Sequence, residues 1–485
     1  MFSKIIVFVI TILLFSSCTS KTSKKPNVVF FLVDDLGWKD VGCYGSSFYE
    51  TPNIDRLAAQ GMKFTQAYAA SPVCSPTRAS IMSGKNPARL HITDWIGGKQ
   101  KGRLLPADYE HQLPLEEVTI AEALKAEGYA AGFFGKWHLG DAPYFPEKQG
   151  FDVNKGGHSK GHPASYFYPY KNEKHPDFNV PGLEDGQQGE YLTDRLTDEA
   201  LKYMENHKDA PFFLFLSHYA VHTPIQAKEK NIAYFKNKKE KMPDSGQDAF
   251  RDEHQAHTKL IQDDPVYAAM VKSVDESIGR VVNKIETLGL SDNTIIIFMS
   301  DNGGLSTLTW KWSPTSNEPL RAGKGWLYEG GIREPLIIKW PGKVKAGSVC
   351  NEPVVSMDFY PTILQMCGLP LKPQQHKDGL SLVPLLTENK QHLPRTELLW
   401  HFPHYHGSGH RPSSAIRVGD YKLIKFYEGP VLELYDLKND PYEKENIAEK
   451  YAQKTEELHR ELIRQLELQK ANLPKGENPA YKEKD

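Results

Sequence analysis

The sequence predicts an α/β fold: a large mixed, mostly parallel sheet flanked by helices, followed by a smaller C-terminal α+β subdomain. Three observations predict it. Short, continuously apolar runs, Asn27 to Val33 (NVVFFLV), Pro211 to Leu216 (PFFLFL) and Thr294 to Met299 (TIIIFM), read as strands buried on both faces. Helical stretches alternate with them, the rhythm of a sheet covered on each side. Polar residues follow the runs, where open α/β sheets bind their ligands. Composition agrees: 485 residues with 39% hydrophobic and 25% charged give globular chemistry rather than disorder or a membrane bundle. With 59 Lys+Arg against 61 Asp+Glu there is no global basic surface, which excludes nucleic acid as the expected partner. Five cysteines in so long a chain do not form a disulfide scaffold.

In chain order, Lys4 precedes an apolar run from Ile5 to Phe15, then Ser16-Ser17-Cys18. The run is too short to span a bilayer and has the length of a signal-peptide core. Small residues before a cysteine look like a lipoprotein cleavage box, with Phe15 where Leu is usual. The expectation is an exported protein of the periplasm or cell envelope, held to a membrane by a lipid on Cys18; a plain secretory signal is the alternative. Thr19 to Lys25 reads as a polar tether. Helices are expected over Ile54 to Gln60 and Thr119 to Glu127, each closed by glycine, and over Leu192 to Asn206 and Tyr267 to Leu288. Ala130 to Phe134 reads as a short strand. Asn231 to Thr258 is a polar insertion expected as surface loop and helix. Beyond Trp400, Ile416 to Ile424 reads as a hairpin around Gly419-Asp420, Glu433 to Asp436 as a strand and Ala448 to Gln469 as a last helix. The division expected is signal and tether over 1–25, a catalytic domain over 26–390 and the C-terminal subdomain over 391–485.

Four strand ends deliver polar groups. Asp34-Asp35 follow the first, Lys136 and His138 the one ending at Phe134, His218 and His222 the one ending at Leu216, and Asp301-Asn302 the one ending at Met299. Parallel strands would bring them to one rim, although paired aspartates alone also read as a turn or cap. Asp34, Asp35, Asp301 and Asn302 offer only oxygen, which suits Ca2+ or Mg2+, whereas zinc sites recruit His or Cys. His218 reads as structural.

Cys74 stands where a helix is expected to begin, with Pro76 in its first turn and Gly84 past its end. Such a position favours an anion, and Arg78 lies one turn below. A low-pKa thiolate nucleophile and a buried structural cysteine are both open.

Cys74-x-Pro76-x-Arg78 followed by Ser83-Gly84 resembles the formylglycine signature of the type I sulfatases, an alkaline phosphatase-like family, with Ser83 in place of the usual Thr. The resemblance runs along the chain in order: Pro26 to Gly37, Gly135-Lys136-Trp137-His138-Leu139-Gly140, His222-Thr223-Pro224, Ser300 to Gly304, Arg321 to Gly325, Glu329 to Arg333, and the C-terminal Leu434 to Ala448. It implies that a maturase oxidises Cys74 to formylglycine, whose hydrate attacks sulfur with one hydroxyl and releases sulfate through the other. It implies a cation held by Asp34, Asp35, Asp301, Asn302 and the formylglycine oxygen. Arg78 would orient the hydrate, Lys136 and Lys324 would hold sulfuryl oxygens, His138 would deprotonate the second hydroxyl, and His222 or Lys324 would protonate the leaving oxygen.

The nearest rival is a phosphatase or phosphodiesterase of the same superfamily. Those carry two zinc ions and a His after the late Asp, where this chain has Asn302. A catalytically inactive, glycan-binding lipoprotein is the other. The substrate expected is a sulfated carbohydrate. The block Arg89 to Ile96 resembles bacterial relatives of the N-acetylgalactosamine sulfatases and points to a galactose or N-acetylgalactosamine residue, with the 4-O-sulfate favoured. His158, His162, His404, His406 and His410 are candidate sugar contacts.

Overall fold

The computed structural model describes residues 24–99, 102–244, 246–388, 392–429 and 431–482. The expected signal, Cys18 and the domain boundary at 390/391 lie outside the described residues. No helix among those described is long and apolar enough to cross a membrane.

Among the described residues the main sheet has nine strands. They are β1 (Asn27–Val33), β2 (Met62–Tyr68), β3 (Ala130–Gly135), β4 (Val153–Lys155), β5 (Phe212–Ser217), β8 (Thr294–Ser300), β10 (Arg333–Lys339), β11 (Ser348–Cys350) and β12 (Val354–Val355). A small second sheet joins β6 (Phe250–Glu253), β7 (Ala256–Lys259) and β9 (Thr307–Leu308). A third is an antiparallel meander of β13 (Glu397–Phe402), β14 (Ser413–Val418), β15 (Tyr421–Phe426) and β16 (Val431–Asp436).

In the main sheet the order is β11-β2-β10-β8-β1-β5-β3-β4, with β12 also on β2. Only β10 runs against its neighbours; β8, β1, β5, β3 and β4 are mutually parallel. β1 is central and buried throughout. Val29, Phe31 and Val33 enter one core with helices Leu192–His207 and Pro265–Thr287. Val28, Phe30 and Leu32 enter the opposite core with helices Cys74–Ser83, Ile120–Lys125 and Phe359–Met366. Phe30 stacks on Phe215 at 4.9 Å and meets Phe359 edge-on at 5.2 Å. Two-sided burial is why these strands read as unbroken apolar runs.

Several helices start on sequence-encoded caps. Thr119 and Glu122 form a capping box, and Asp264 Oδ1 accepts from Val266 N and Tyr267 N at 2.8 and 3.0 Å. The polar insertion expected over 231–258 holds helix Glu229–Glu240, as anticipated, and also the β6–β7 hairpin, which was not.

The meander packs one face on the main domain, Trp400, Phe402, Ala415 and Ile424 meeting Tyr68, Val73, Trp326 and Tyr328. Its other face takes the last helix, Ala452–Leu468, through Leu458, Leu462 and Leu466. Within the first interface Lys422 is fully buried, its Nζ 3.0 Å from Glu329 Oε1 and 2.8 Å from Glu443 Oε1. Glu443 in turn accepts from the Glu329 backbone N–H at 2.6 Å. A buried pair stripped of one partner leaves uncompensated charge. Lys422→Met is expected to lower unfolding free energy by about 3–5 kcal/mol, measured from denaturant midpoints at neutral pH.

Candidate active site

All five strands that precede site residues end on one rim. β8, β1, β5 and β3 are adjacent and parallel, so Asp301, Asp34, Lys136 and the 218–222 turn emerge side by side. β2 points the same way and feeds the turn into Cys74. Antiparallel β10 begins at that rim, which is why Lys324, upstream of it, also reaches the site. Gly135, at φ 107°, lets β3 turn into the rim: a Cβ there would lie 1.9 Å from Ser217 O, which instead accepts from Lys136 N at 2.8 Å.

Asp34, Asp35 and Asp301 are buried, with carboxylate oxygens within 4.8 Å of one another. Each is met by its own cation. Lys136 Nζ is 2.7 Å from Asp34 Oδ2, Lys324 Nζ is 2.7 Å from Asp35 Oδ1, and Arg78 places Nε and Nη2 at 2.9 and 2.7 Å from Asp301 Oδ2. Asn302 Nδ2 donates to Asp35 Oδ1 at 2.8 Å. Burial pushes the Asp34 carboxyl well above its usual range, with Lys136 only partly offsetting. Burial acts the same way on Asp35, but there the Lys324 ammonium wins and holds it low. Formally three carboxylates balance three cations.

Cys74 opens helix Cys74–Ser83, as expected, and Gly84 closes it at φ 69°. Burial pushes the Cys74 thiol up, which disfavours the thiolate reading. Arg78 is held on several sides. Besides Asp301, its Nη1 donates to Lys136 O at 2.8 Å and Ser217 Oγ at 2.6 Å, so the guanidinium fixes Asp301 and the β3 and β5 ends.

His138 Nδ1 lies 3.2 Å from Cys74 Sγ, and its Nε2 is 2.9 Å from Ile96 O. A carbonyl only accepts, so Nε2 carries the proton and Nδ1 presents its lone pair to residue 74. Burial, with Lys136 nearby, holds this ring well below the ordinary histidine range. His222 Nδ1 donates to Thr223 O at 2.8 Å, leaving Nε2 toward Asp35 Oδ2 at 3.7 Å. Burial and Lys324 lower its pKa too. Lys324 is held charged: burial opposes this, but Asp35 prevails.

Asp35, Cys74, His138, His222 and Lys324 line a cavity of about 490 Å³. Of the candidate sugar contacts, His162 and His406 line it. His158, His404 and His410 do not: they are buried beneath, with His404 bonded to Thr93 Oγ1 and His410 to Ser413 Oγ. His218 is buried against Ser277 Oγ at 3.0 Å, as its structural reading required. Lys99, Lys160, Phe178 and Tyr405 line the cavity and were missed, since loops bring them there. Trp95, another lining residue, stood in the 89–96 block.

Residues 26–369 match the family model Sulfatase. The chain belongs to the sulfatase family. Residues 322–472 of this sulfatase also match the model N-sulphoglucosamine sulphohydrolase, C-terminal. A protein named Sulfatase from Formosa agariphila is 34% identical, covering 98% of this chain and 95% of its own. The N-acetylgalactosamine-6-sulfatase of Sus scrofa is 34% identical across 76% of this chain and 67% of its own. The solved structure of BT4656 in complex with its substrate D-glucosamine-2-N,6-O-disulfate superposes with TM-score 0.71 at 26% identity, covering 92% of this chain and 98% of that one. The enzyme is a sulfuric ester hydrolase, and the family typically uses formylglycine and a metal ion.

Nitrogen NMR of the histidine rings is expected to show His138 neutral at pH 7, protonated on Nε2, and still neutral as pH falls through 6.5. An imidazolium at pH 7 would contradict this tautomer.

Proposed function

We propose that this sulfatase cleaves the sulfate ester of a galactose- or N-acetylgalactosamine-type sugar, using formylglycine made from Cys74 by a maturase and one hard divalent cation, Ca2+ with Mg2+ as the alternative. One observation carries the reading. Within the acidic cluster beside residue 74, Asp34 Oδ1 and Asn302 Oδ1 are buried and have no hydrogen-bond partner among the described residues. Orphaned oxygens with no His or Cys nitrogen or sulfur among them fit a cation that prefers oxygen. Asp34, Asp35, Asp301, Asn302 and the oxygen of a modified residue 74 would hold it. Because the cluster's own charges already balance, a bound dication leaves the site net positive toward an anionic ester.

Formylglycine supplies, as its hydrate, one hydroxyl to attack sulfur and a second whose deprotonation lets sulfate depart. The Cys74 Sγ stands where those oxygens would be. His138 Nδ1, with its lone pair 3.2 Å from that atom, takes the proton of the second hydroxyl. Lys136 and Lys324 bind sulfuryl oxygens as charge builds. Lys324 already carries a proton for the leaving oxygen; His222, whose Nε2 holds the lone pair while Nδ1–H is given to Thr223 O, would serve as the other donor only once protonated at Nε2. Arg78 acts one step back, by positioning Asp301.

The N-acetylgalactosamine-6-sulfatase relatives support the sugar through their name. That name carries the 6-ester, so the expected 4-O preference draws no support from it. Export and a lipid on Cys18 rest on the apolar run and Ser16-Ser17-Cys18 alone.

Protein from the native host should yield a residue-74 peptide lacking sulfur and two hydrogens and gaining one oxygen, and Cys74→Ala should abolish turnover with the fold intact. A fully active enzyme with an unmodified thiol at 74 would defeat the mechanism. Elemental analysis should find one calcium-like ion, lost in Asp301→Ala; stoichiometric zinc would favour the phosphatase chemistry. Galacto-configured sulfates should be hydrolysed far faster than gluco-configured ones, because buried groups matched to one epimer go unpaired with the other. Equal kcat/KM on both would remove the sugar assignment and leave the sulfatase.

A further inference from the structure

We propose that the cavity binds a second anionic group of the glycan, a carboxylate or sulfate on the sugar next to the reacting one, at the amines of Lys160 and Lys99. The inference rests on the reading of this cavity as a sugar-sulfate site. It adds that the preferred substrate is at least a disaccharide carrying two acidic groups.

The first argument is charge. Lys99, Lys160 and Lys324 line the cavity, as do Asp35 and Asp94. Lys324 is committed to Asp35, and Asp94 Oδ1 accepts from the backbone N–H of Trp95 at 2.9 Å. Lys99 has no ion pair among the described residues. Lys160 has only a loose one, 3.8 Å from Asp177, whose side chain is 74% exposed. Such a surface pair contributes little and yields readily to a better anion. The catalytic steps use neither amine.

The second argument is spacing. His222, His162 and Phe178 form a stack along the cavity wall, with centroids 5.7 Å apart at 13° and then 4.2 Å apart at 15°. Lys160 Nζ stands 5.6 Å from the centroid of the Phe178 ring. Laid end to end, these steps reach beyond the width of one hexose ring. An anion at Lys160 therefore belongs to a neighbouring sugar, with the aromatic wall beside that sugar's apolar face.

The third argument is anchoring. Both lysine segments touch the His138 ring. Ile96 O accepts from His138 Nε2 at 2.9 Å, three residues before Lys99. A Cβ at Gly161 would lie 2.5 Å from His138 Cε1, one residue after Lys160. The backbone segments that carry the two lysines are thus tied to the residue that faces Cys74.

The test uses the full-chain, mature enzyme on three disaccharides with the same sulfated galactose-type residue, joined to a neutral hexose, a uronic acid or a second sulfated sugar. Wild type is expected to show about tenfold higher kcat/KM on at least one acidic disaccharide than on the neutral one, in KM rather than kcat, the gain shrinking with added salt. The better acidic partner identifies the anion. Lys160→Gln and Lys99→Gln should each erase most of that preference while leaving the neutral disaccharide within about twofold of wild type. Equal wild-type rates on all three, or variants that lose the same factor on neutral and acidic substrates, would overturn the proposal. Hydrolysis of none of the sugar sulfates would instead remove the parent reading, and this one with it.

Discussion

Burying three carboxylates at one point is the constraint on which the site depends. An isolated carboxylate out of water is strongly disfavoured unless it is paired and hydrogen-bonded. Here Asp34, Asp35 and Asp301 sit together fully shielded, and the fold answers with one cation for each. Those cations come from separate places: Arg78 from the helix opened by Cys74, Lys136 from the end of β3, Lys324 from the segment leading into β10. Assembly of the cluster therefore requires the central strands, the Cys74 helix and the β10 approach to be in place together. The meander contributes to this from behind, since Lys422 grips Glu329, a few residues beyond Lys324. The same balance would serve the proposed chemistry, because an added dication would turn a neutral cluster into one that attracts an ester of sulfuric acid.

How much of this was legible follows from where each residue lies. Strands buried on both faces announce themselves as apolar runs, so β1, β5 and β8 were readable to within a residue, and with them the rim carrying Asp34, Asp35, His222, Asp301 and Asn302. β2 (MKFTQAY) and β10 (REPLIIK) were not read as strands. β2 is half-buried and alternates polar with apolar, and β10 contains Pro335 and the buried Glu334 at an irregularity in its pairing. That hid the antiparallel strand, and so hid why Lys324 belongs at the rim; its place came only through resemblance. Lys160, Phe178 and Tyr405 were illegible for a further reason. They sit on loops or, for Phe178, a single 3-10 turn, with no periodicity, and only tertiary packing brings them to one cavity. The histidines show the converse: a His-rich loop suggests ligands, yet burial beneath the wall separates His158, His404 and His410 from His162 and His406.

Backbone strain marks the same region. Asp35, His138 and Ala322 all adopt left-handed φ, at 60°, 58° and 55°. Each such residue costs on the order of 1–3 kcal/mol and persists only where its surroundings fix it. For His138 those surroundings are explicit. Its N–H donates to His158 O at 3.0 Å, its carbonyl accepts from Ser75 Oγ at 2.9 Å, and its ring is held at Nε2 by Ile96 O. Buried His158, which makes no wall of the cavity, thus supports the backbone of His138.

The loop geometry has a consequence for how specificity and chemistry are linked. Ser75 Oγ also accepts from Ile96 N at 3.0 Å, so the 95–98 loop is tied to the first turn of the Cys74 helix as well as to His138. Trp95, Ile96, Gly97 and Gly98 form one cavity wall, and Gly161 presses on the other side of the His138 ring. A sugar that displaces the 95–98 wall would move the carbonyl that fixes the His138 proton on Nε2. With the ring flipped, or its tautomer exchanged, Nδ1 would no longer offer a lone pair to residue 74. Were a glycan to bind between these walls, its fit and the placement of the proton acceptor would form one mechanical unit, and a poorly fitting sugar would cost turnover as well as affinity.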